Sequence, residues 1–455
     1  MTVRARGFGL GFSIILTIAS TLLWGVAHLA ADRRKTGLAL MAAHVLMLTM
    51  ILTVITVFGS KLLPLAVQPA WLTAFAIMIA TIATIWTGVV IWSYLLVRPA
   101  PVNRVGRAVT TALTIALCAL ILTPAVYAAR VTYVSRDVVN SLFAANVSPV
   151  VSEDPWNGAK RVNLLLLGAD AAPGRPGVRT DSVTVASVDV ATGATILLGL
   201  PRNLQRVRLP EGPPRERFPD GFTGAGPETP GLLNEVFQYA EDYPEMEPGV
   251  RKGQRGPTLI KETVSGILGI PITYYTMVDM KGFAQIIDAM GGVTVTIKDP
   301  IVYGKYREGL LNPGTRKLSG ADALWFGRSR TDSDDYVRMG RQKCLLNAVA
   351  KQADPVTVLN SFEKLAAATK RAISTDIPQN VLPDLVELAQ RVKANKIKSL
   401  SFVPPLISTV YPDWSLIQRK VAQALAERSP SATPPRSAPQ TQSPENPITL
   451  DSACR

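Results

Sequence analysis

The chain has 455 residues, room for two or three structural units. It carries a formal net charge of +14, yet only 18% of its residues are charged and 47% are hydrophobic, which excludes disorder throughout. A chain this basic and this apolar is either a nucleic-acid binder with a large core or a membrane protein, and the charge is unevenly placed: residues 1–130 hold ten basic residues against one acid, Asp32. The only two histidines, His28 and His44, lie in that same part, so a Ser-His-Asp triad or a His-ligated zinc is excluded from the rest. Cys118, Cys344 and Cys454 are too scattered for a metal knuckle or a CxxC pair.

Residues 7–31, 36–60 and 108–129 are free of charged side chains, and a longer uncharged run covers 62–97. Crossing ~30 Å of hydrocarbon takes about 20 helical residues, so four transmembrane helices are predicted, over about 8–31, 37–60, 71–97 and 108–129. Arg33, Arg34 and Lys35 follow the first span and Arg98, Arg104 and Arg107 the third, against Arg4, Arg6, Lys61, Arg130 and Arg136 on the other side. The concentration of the first six in two short loops predicts a multi-pass cell-membrane protein whose large domain is extracytoplasmic. With no charged partner inside any span, His28 and His44 read as satisfied or interfacial groups rather than a proton relay.

Residues 131–160 read as a stalk with partial helical periodicity. RVNLLLLGAD (161–170) has the short apolar run of a strand buried on both faces, and SVTVASVD (182–189) alternates as a strand does. ATILLGLP (194–201) follows a Thr-Gly turn and makes a hairpin with it. Beyond a Pro- and Gly-rich excursion over 205–256, with one helical piece at 232–240, come a helix (258–269), a strand (272–279), a helix (281–290) and a strand (293–299). Helices over 335–353, 358–372 and 380–394 and a strand near 398–404 complete an α/β, αβα-layered domain with a mixed central sheet, spanning 161–428. Residues 429–455 are rich in Pro and Ser and are expected to be a disordered tail.

Three clusters carry chemistry. In GADAAPGRPGVRTDS (168–182), Asp170 ends one strand and Asp181 opens the next; the pair suits Mg²⁺ or Mn²⁺, though both are also ordinary turn residues. In GLPRNL (199–204), Arg202 stands at a strand end, where it can fork onto a phosphate or simply face solvent. In FGRSRTDSDDYVRMGRQKCLLNAV (326–349), helical spacing at about 100° per residue places Arg338, Arg341, Gln342, Leu345 and Val349 in one stripe. A stripe that is apolar at one end and cationic at the other aims its arginines inward, where an anion must answer them. Arg328 and Arg330 add two more cations; the competing reading is a salt-bridge network with Asp332, Asp334 and Asp335.

In their order these residues resemble the LytR-CpsA-Psr wall-glycopolymer ligases. The similarity covers about 160–355: Asp170 with Arg179, Asp181 and Ser182; Pro201 and Arg202; Gly269 to Tyr274; Ala289 to Val293; Leu318 to Leu324; Arg328 and Arg330; and Arg338 to Gln342. The resemblance implies that Asp170 and Asp181 bind Mg²⁺. It implies that Arg179, Arg202, Arg328, Arg330 and Gln342 hold the pyrophosphate of a polyprenyl-linked glycan, joined on the helical stripe by Arg338, with Asp335 and Arg341 in support. It further implies an apolar groove for the lipid and transfer of a phosphoglycan to peptidoglycan, with Asp181 as candidate general base and Arg202 as its catalytic partner. The implied partners are the polyprenyl-pyrophosphate-linked glycan, peptidoglycan and membrane lipid, and no nucleic acid. Asn203 stands where the family usually has Asp, Lys343 replaces the second of two usual glutamines, and one span is usual. A non-catalytic lipid- or glycan-binding regulator and a lipid pyrophosphatase are the alternatives. With the domain outside, a disulfide between Cys344 and Cys454 is open, since spacing alone does not fix a pair.

Overall fold

The structure is a computed structural model that describes residues 9–99, 104–143, 155–170, 177–226, 229–352, 362–426, 447–450 and 454. It divides into two units, Met1–Val139 and Asn140–Arg455.

The first unit is helical: α1 (Leu10–Leu22), α2 (Val26–Ala30), α3 (Arg34–Leu65), α4 (Pro69–Leu96) and α5 (Arg104–Leu142). Among the described residues three helices are long and apolar enough to cross a membrane, within Arg34–Gly59, Pro69–Leu96 and Arg104–Leu142, and the expectation of four is corrected accordingly. The first expected span is broken at Gly25, whose φ of 92° is open to glycine but strained for other residues. A Cβ there would stand 2.2 Å from the Gly37 carbonyl oxygen, so the backbones meet where no side chain fits. At 13 residues, α1 rises only about 20 Å, short of the ~30 Å hydrocarbon core. His28 and His44 are buried and ring-packed, His28 at 4.6 Å from Trp92 and His44 at 4.8 Å from Trp24. Both nitrogens of His28 and Nδ1 of His44 lack a hydrogen-bond partner among the described residues, so aromatic packing replaces the expected satisfaction. The helix α5 continues to Leu142, making the start of the expected stalk regular helix; residues 144–154 lie outside the described set.

The second unit contains, in chain order, β1 (Arg161–Asp170), β2 (Arg179–Asp189), β3 (Thr195–Leu200), α6 (Pro213–Arg217), α7 (Val236–Asp242), α8 (Arg255–Leu268), β4 (Tyr274–Asp279) and α9 (Met280–Ala289). There follow β5 (Val293–Ile297), β6 (Ile301–Tyr303), β7 (Gly309–Leu311), β8 (Gly314–Leu318), α10 (Gly320–Arg328) and α11 (Asp335–Gln352). The remaining elements are α12 (Phe362–Ala372), β9 (Ile373–Thr375), α13 (Leu382–Lys393), β10 (Lys398–Ser401), α14 (Trp414–Ala426) and β11 (Ile448–Thr449). Seven strands form a mixed sheet in the order β11-β10-β3-β2-β1-β4-β9. The β2–β3 hairpin is antiparallel as expected, its turn tied by Asp189 Oδ1, which accepts from the Thr192 N–H and hydroxyl at 2.8 and 2.7 Å. The pairings β1 with β4 and β3 with β10 are parallel and need crossovers.

One sheet face (Leu165, Leu167, Val183, Val185, Ile196, Leu198) packs with Val236 of α7, Leu259, Ile260 and Val264 of α8 and Ile417 and Val421 of α14 in the main core. The other face looks toward α9, α10 and α11, which share a second core with β5 and β8 through Ile287, Val293, Phe326 and Leu345. This is the expected αβα layering. The strand at 293–299 joins a separate two-stranded sheet with β8, and β6 pairs with β7. The helix α12 comes close to α9 at Gly282, where a Cβ would fall 2.1 Å from that of Ala372. The expectation of an unstructured tail is corrected at its far end: Ile448 and Thr449 pair with β10, while 427–446 lie outside the described residues. Cys344 and Cys454 form a disulfide, their Cα atoms 5.3 Å apart.

Candidate functional site

Asp170 is the last residue of β1, and Asp181 lies near the start of β2, in the neighbouring antiparallel strand. The ladder pairs Gly168 with Ser182 and Ala169 with Thr180, so Asp181 is an extra residue in a β-bulge. A bulge re-aims a side chain locally and ends regular pairing, which is how a carboxylate comes to stand at this strand end. Arg202 follows β3 directly and meets it: Arg202 Nη1 donates to Asp181 Oδ1 at 2.6 Å and Arg202 Nε to Asp335 Oδ1 at 3.1 Å. Asn234 Nδ2 donates to the same Asp181 oxygen at 3.0 Å.

The helix α11 starts at Asp335 and carries the cationic stripe. Arg338 is 2% exposed and donates from Nη2 to Asp335 Oδ2 at 3.0 Å, with Arg330 Nη1 at 3.8 Å from Asp335 Oδ1. Arg328, at the C-terminal end of α10, donates to Asp170 Oδ2 at 2.9 Å. Asp170, Asp181, Arg328, Arg330 and Arg338 line one polar cleft of about 340 Å³, joined there by Lys305 and Trp325. The salt-bridge reading is thus realised through Asp335, but it leaves one guanidinium N–H over: Arg338 Nε is buried with no hydrogen-bond partner among the described residues.

Burial would raise the Asp181 carboxyl, but the Arg202 guanidinium, the Asn234 amide and the charge of Arg338 outweigh it and hold it below the usual carboxylate range. For Arg202, burial works against the charge while Asp181 and Asp335 more than restore it. Burial lowers Arg338, the carboxylate of Asp335 offsetting part of that and Arg202 adding repulsion.

An apolar cavity of about 240 Å³ opens beside the cleft and shares Asp181 and Arg328 with it. Its walls are the sheet face (Leu166, Thr184, Leu197) and α9 to α11 (Phe283, Leu324, Met339, Leu346). Gln342 and Lys343 line this cavity rather than the cleft; Gln342 Nε2 donates to the Gly327 carbonyl at 3.0 Å. The Lys343 ammonium donates to Ser399 Oγ at 2.7 Å and to Ser401 Oγ on β10, and burial pushes its pKa down to about 8.

Arg341, expected in support, turns to the other side. Its Nη2 donates to the Ser329 carbonyl at 2.7 Å and to Ser333 Oγ at 2.6 Å, and it lines a separate cavity with Cys344 and Cys454. Arg179 is exposed and is paired across the ladder with Asp170. Asn234, Lys305 and Lys343 were not among the expected site residues; Asn234 is a neutral amide beside Glu235 and Gln238 in one amphipathic helical piece and carries no signal of its own. For a metal, no cluster of three or more His, Cys, Asp or Glu side chains occurs among the described residues. The available donor set is Asp170 and Asp181 facing one cleft, the one or two carboxylates Mg²⁺ takes from a protein when phosphate oxygens and water complete its shell.

An αβα domain with an arginine-lined cleft over two carboxylates, opening beside an apolar cavity, has the chemistry to receive an amphipathic anion. The chain belongs to the LytR-CpsA-Psr family, whose model (LytR_cpsA_psr) matches residues 130–412. It is 28% identical over 227 residues to a polyisoprenyl-teichoic acid–peptidoglycan teichoic acid transferase, TagU, of Oceanobacillus iheyensis, a match over 50% of this chain and 62% of that protein. Biofilm regulatory protein A of Streptococcus mutans is 30% identical over 141 residues, 29% of this chain and 35% of its own length. The chain therefore spans less than two thirds of either relative. A crystal structure of B. subtilis TagV, 24% identical, matches over 58% of this chain and 96% of that one with a TM-score of 0.42.

Proposed function

We propose that the protein is a membrane-anchored phosphotransferase that moves a phosphoglycan from a polyprenyl-pyrophosphate carrier to a peptidoglycan hydroxyl, with its second unit extracytoplasmic. The observation that carries this reading is the junction at Asp181 and Arg328, where a hydrocarbon-lined cavity meets a cationic cleft. A lipid pyrophosphate has the same two halves.

In this reading Arg328, Arg330 and Arg338 receive the pyrophosphate oxygens, and the unpartnered Nε of Arg338 gains an acceptor. Mg²⁺ held by Asp170 and Asp181 would neutralise phosphate charge in the transition state. The acceptor hydroxyl attacks the phosphorus that bears the glycan; its bond to the bridging oxygen breaks, and polyprenyl monophosphate leaves. Asp181 is the proton acceptor for that hydroxyl. Arg202 holds it ionised, in the state that can accept a proton. Catalysis is then mainly positioning and charge stabilisation.

The test is to incubate the full chain in detergent with a polyprenyl-pyrophosphate-linked oligosaccharide, a peptidoglycan fragment and Mg²⁺. Polyprenyl monophosphate and a phosphodiester-linked product are expected together. Monophosphate with free glycan phosphate would mean hydrolysis, and substrate binding without turnover would make the protein a binding regulator; either sinks the transferase reading.

A further inference from the structure

The segment after 446 returns to the sheet beside the apolar cavity. Thr449 and Ile448 pair with Lys398 and Ser399 of β10, and the Leu450 N–H donates to the Ile397 carbonyl at 3.0 Å. Leu450 is 2% exposed and forms an apolar cluster with Ala186 and Leu197, around which Leu164, Leu166 and Ile397 pack. Leu166 and Leu197 also line the apolar cavity, on the sheet face turned toward α11. Along β1 that face reads Gly168, Leu166, Leu164, with Gly168 at the cleft end and Leu164 packed against the cluster that holds Leu450. The four residue steps from Gly168 to Leu164 cover about 13 Å, the length of a few isoprene units.

The same segment is fastened at its other end. Cys454 is bonded to Cys344 of α11, next to Lys343, whose ammonium spans to Ser399 and Ser401 of β10. The helix so tied also supplies Met339, Gln342 and Leu346 to the cavity wall. The wall and Leu450 are thus linked twice, through a covalent bond and through β10.

We propose that Leu450 closes the inner end of the apolar cavity and sets how long a hydrocarbon chain is enclosed there, and that the Cys344–Cys454 disulfide holds it in that position. This rests on the reading of the cavity as the seat of a polyprenyl chain. Leu450 is a specificity-determining residue: the part of a chain longer than the enclosed length gains no further contact with the protein.

The experiment measures affinity of the full, oxidised chain in detergent for a series of prenyl monophosphates, from geranyl and farnesyl through progressively longer chains. Affinity rises with each isoprene unit up to a limiting length and then levels off. In Leu450→Ala, in Cys454→Ser and in the wild type after reduction, the limit moves to a longer chain by at least one unit, with a gain of about tenfold for the first chain too long for the oxidised protein. Leu450→Trp moves it the other way, and Leu450→Met leaves it in place, a control for correct folding. One and the same limit in all of these proteins, with prenyl binding intact, overturns the proposal for Leu450 alone. Absence of prenyl binding to the oxidised wild type overturns the lipid reading and this inference with it.

Discussion

Arg202 lies between two carboxylates, 2.6 Å from Asp181 and 3.1 Å from Asp335, and so joins the start of β2 to the start of α11. Its side chain is 16% exposed and those of Asp181 and Asp335 are 9% and 13% exposed, so the link is shielded from solvent. One guanidinium thereby holds together the two parts of the site that come from distant stretches of sequence.

Replacing Arg202 with Ala removes this link together with the proposed phosphate contact. Turnover is expected to fall by about 10² to 10³, the usual result of deleting one preorganised electrostatic contact. The Asp181 carboxyl, freed of its strongest stabilising partner, moves up toward the ordinary range, and the acid limb of the pH–rate profile moves up with it. An acid limb at the same pH in the variant would show that Asp181 is not the group titrating in the rate.

Asp335 answers a buried cation. Asp335→Ala leaves Arg338, 2% exposed, without its carboxylate, and breaking one side of a buried pair costs about 3–5 kcal/mol. Adding Arg338→Met to that background is expected to recover most of the stability and none of the activity. Unfolding midpoints of the three proteins check the first part, and equal instability of single and double variants would contradict it.

Lys343 makes stability depend on pH in an alkaline window. Its pKa is about 8 when folded against 10.5 when exposed, so between these values the unfolded chain holds a proton that the folded chain has released. The contribution of this residue to stability therefore rises with pH from about 8 upward. The difference in unfolding midpoint between wild type and Lys343→Met, followed from pH 7 to 10, is expected to shift in favour of the wild type; a flat difference argues against a neutralised lysine.

Removal of divalent cations by a chelator is expected to abolish turnover, and Mg²⁺ to restore it. Asp170→Asn weakens the proposed donor pair, so the variant needs a higher Mg²⁺ concentration for half-maximal rate. An unchanged Mg²⁺ requirement would remove Asp170 from the metal site.

The cationic stripe on α11 was legible because helical geometry is regular: Arg338 and Leu345, seven residues apart, are both buried as the period requires. The same geometry could not say what lies on either side of the stripe. Arg341, one turn on from Arg338, leaves the cleft for Ser329 and Ser333, a matter of how α10 and its following loop pack rather than of period. Asn234 reaches Asp181 only through the fold, since 53 residues separate them. The strand at Ile448 was hidden by the Pro- and Ser-rich composition around it; two paired residues, one buried leucine and a disulfide hold it, and none of these has a periodic signature.

The break at Gly25 bears on which way the chain is threaded. If α1 ends short of the far side, three crossings remain, and the residues before α1 share a side with the segment leading into α3. Arg4, Arg6, Arg33, Arg34 and Lys35 then join Arg98, Arg104 and Arg107 on one side, leaving Lys61, Arg130 and Arg136 on the other. In that threading eight basic residues against three replace the six against five of a four-helix threading, and the excess falls on the side away from the exit of α5. Under that three-crossing threading, a single left-handed glycine would replace a near-even distribution of positive charge with one that favours the orientation proposed for the second unit.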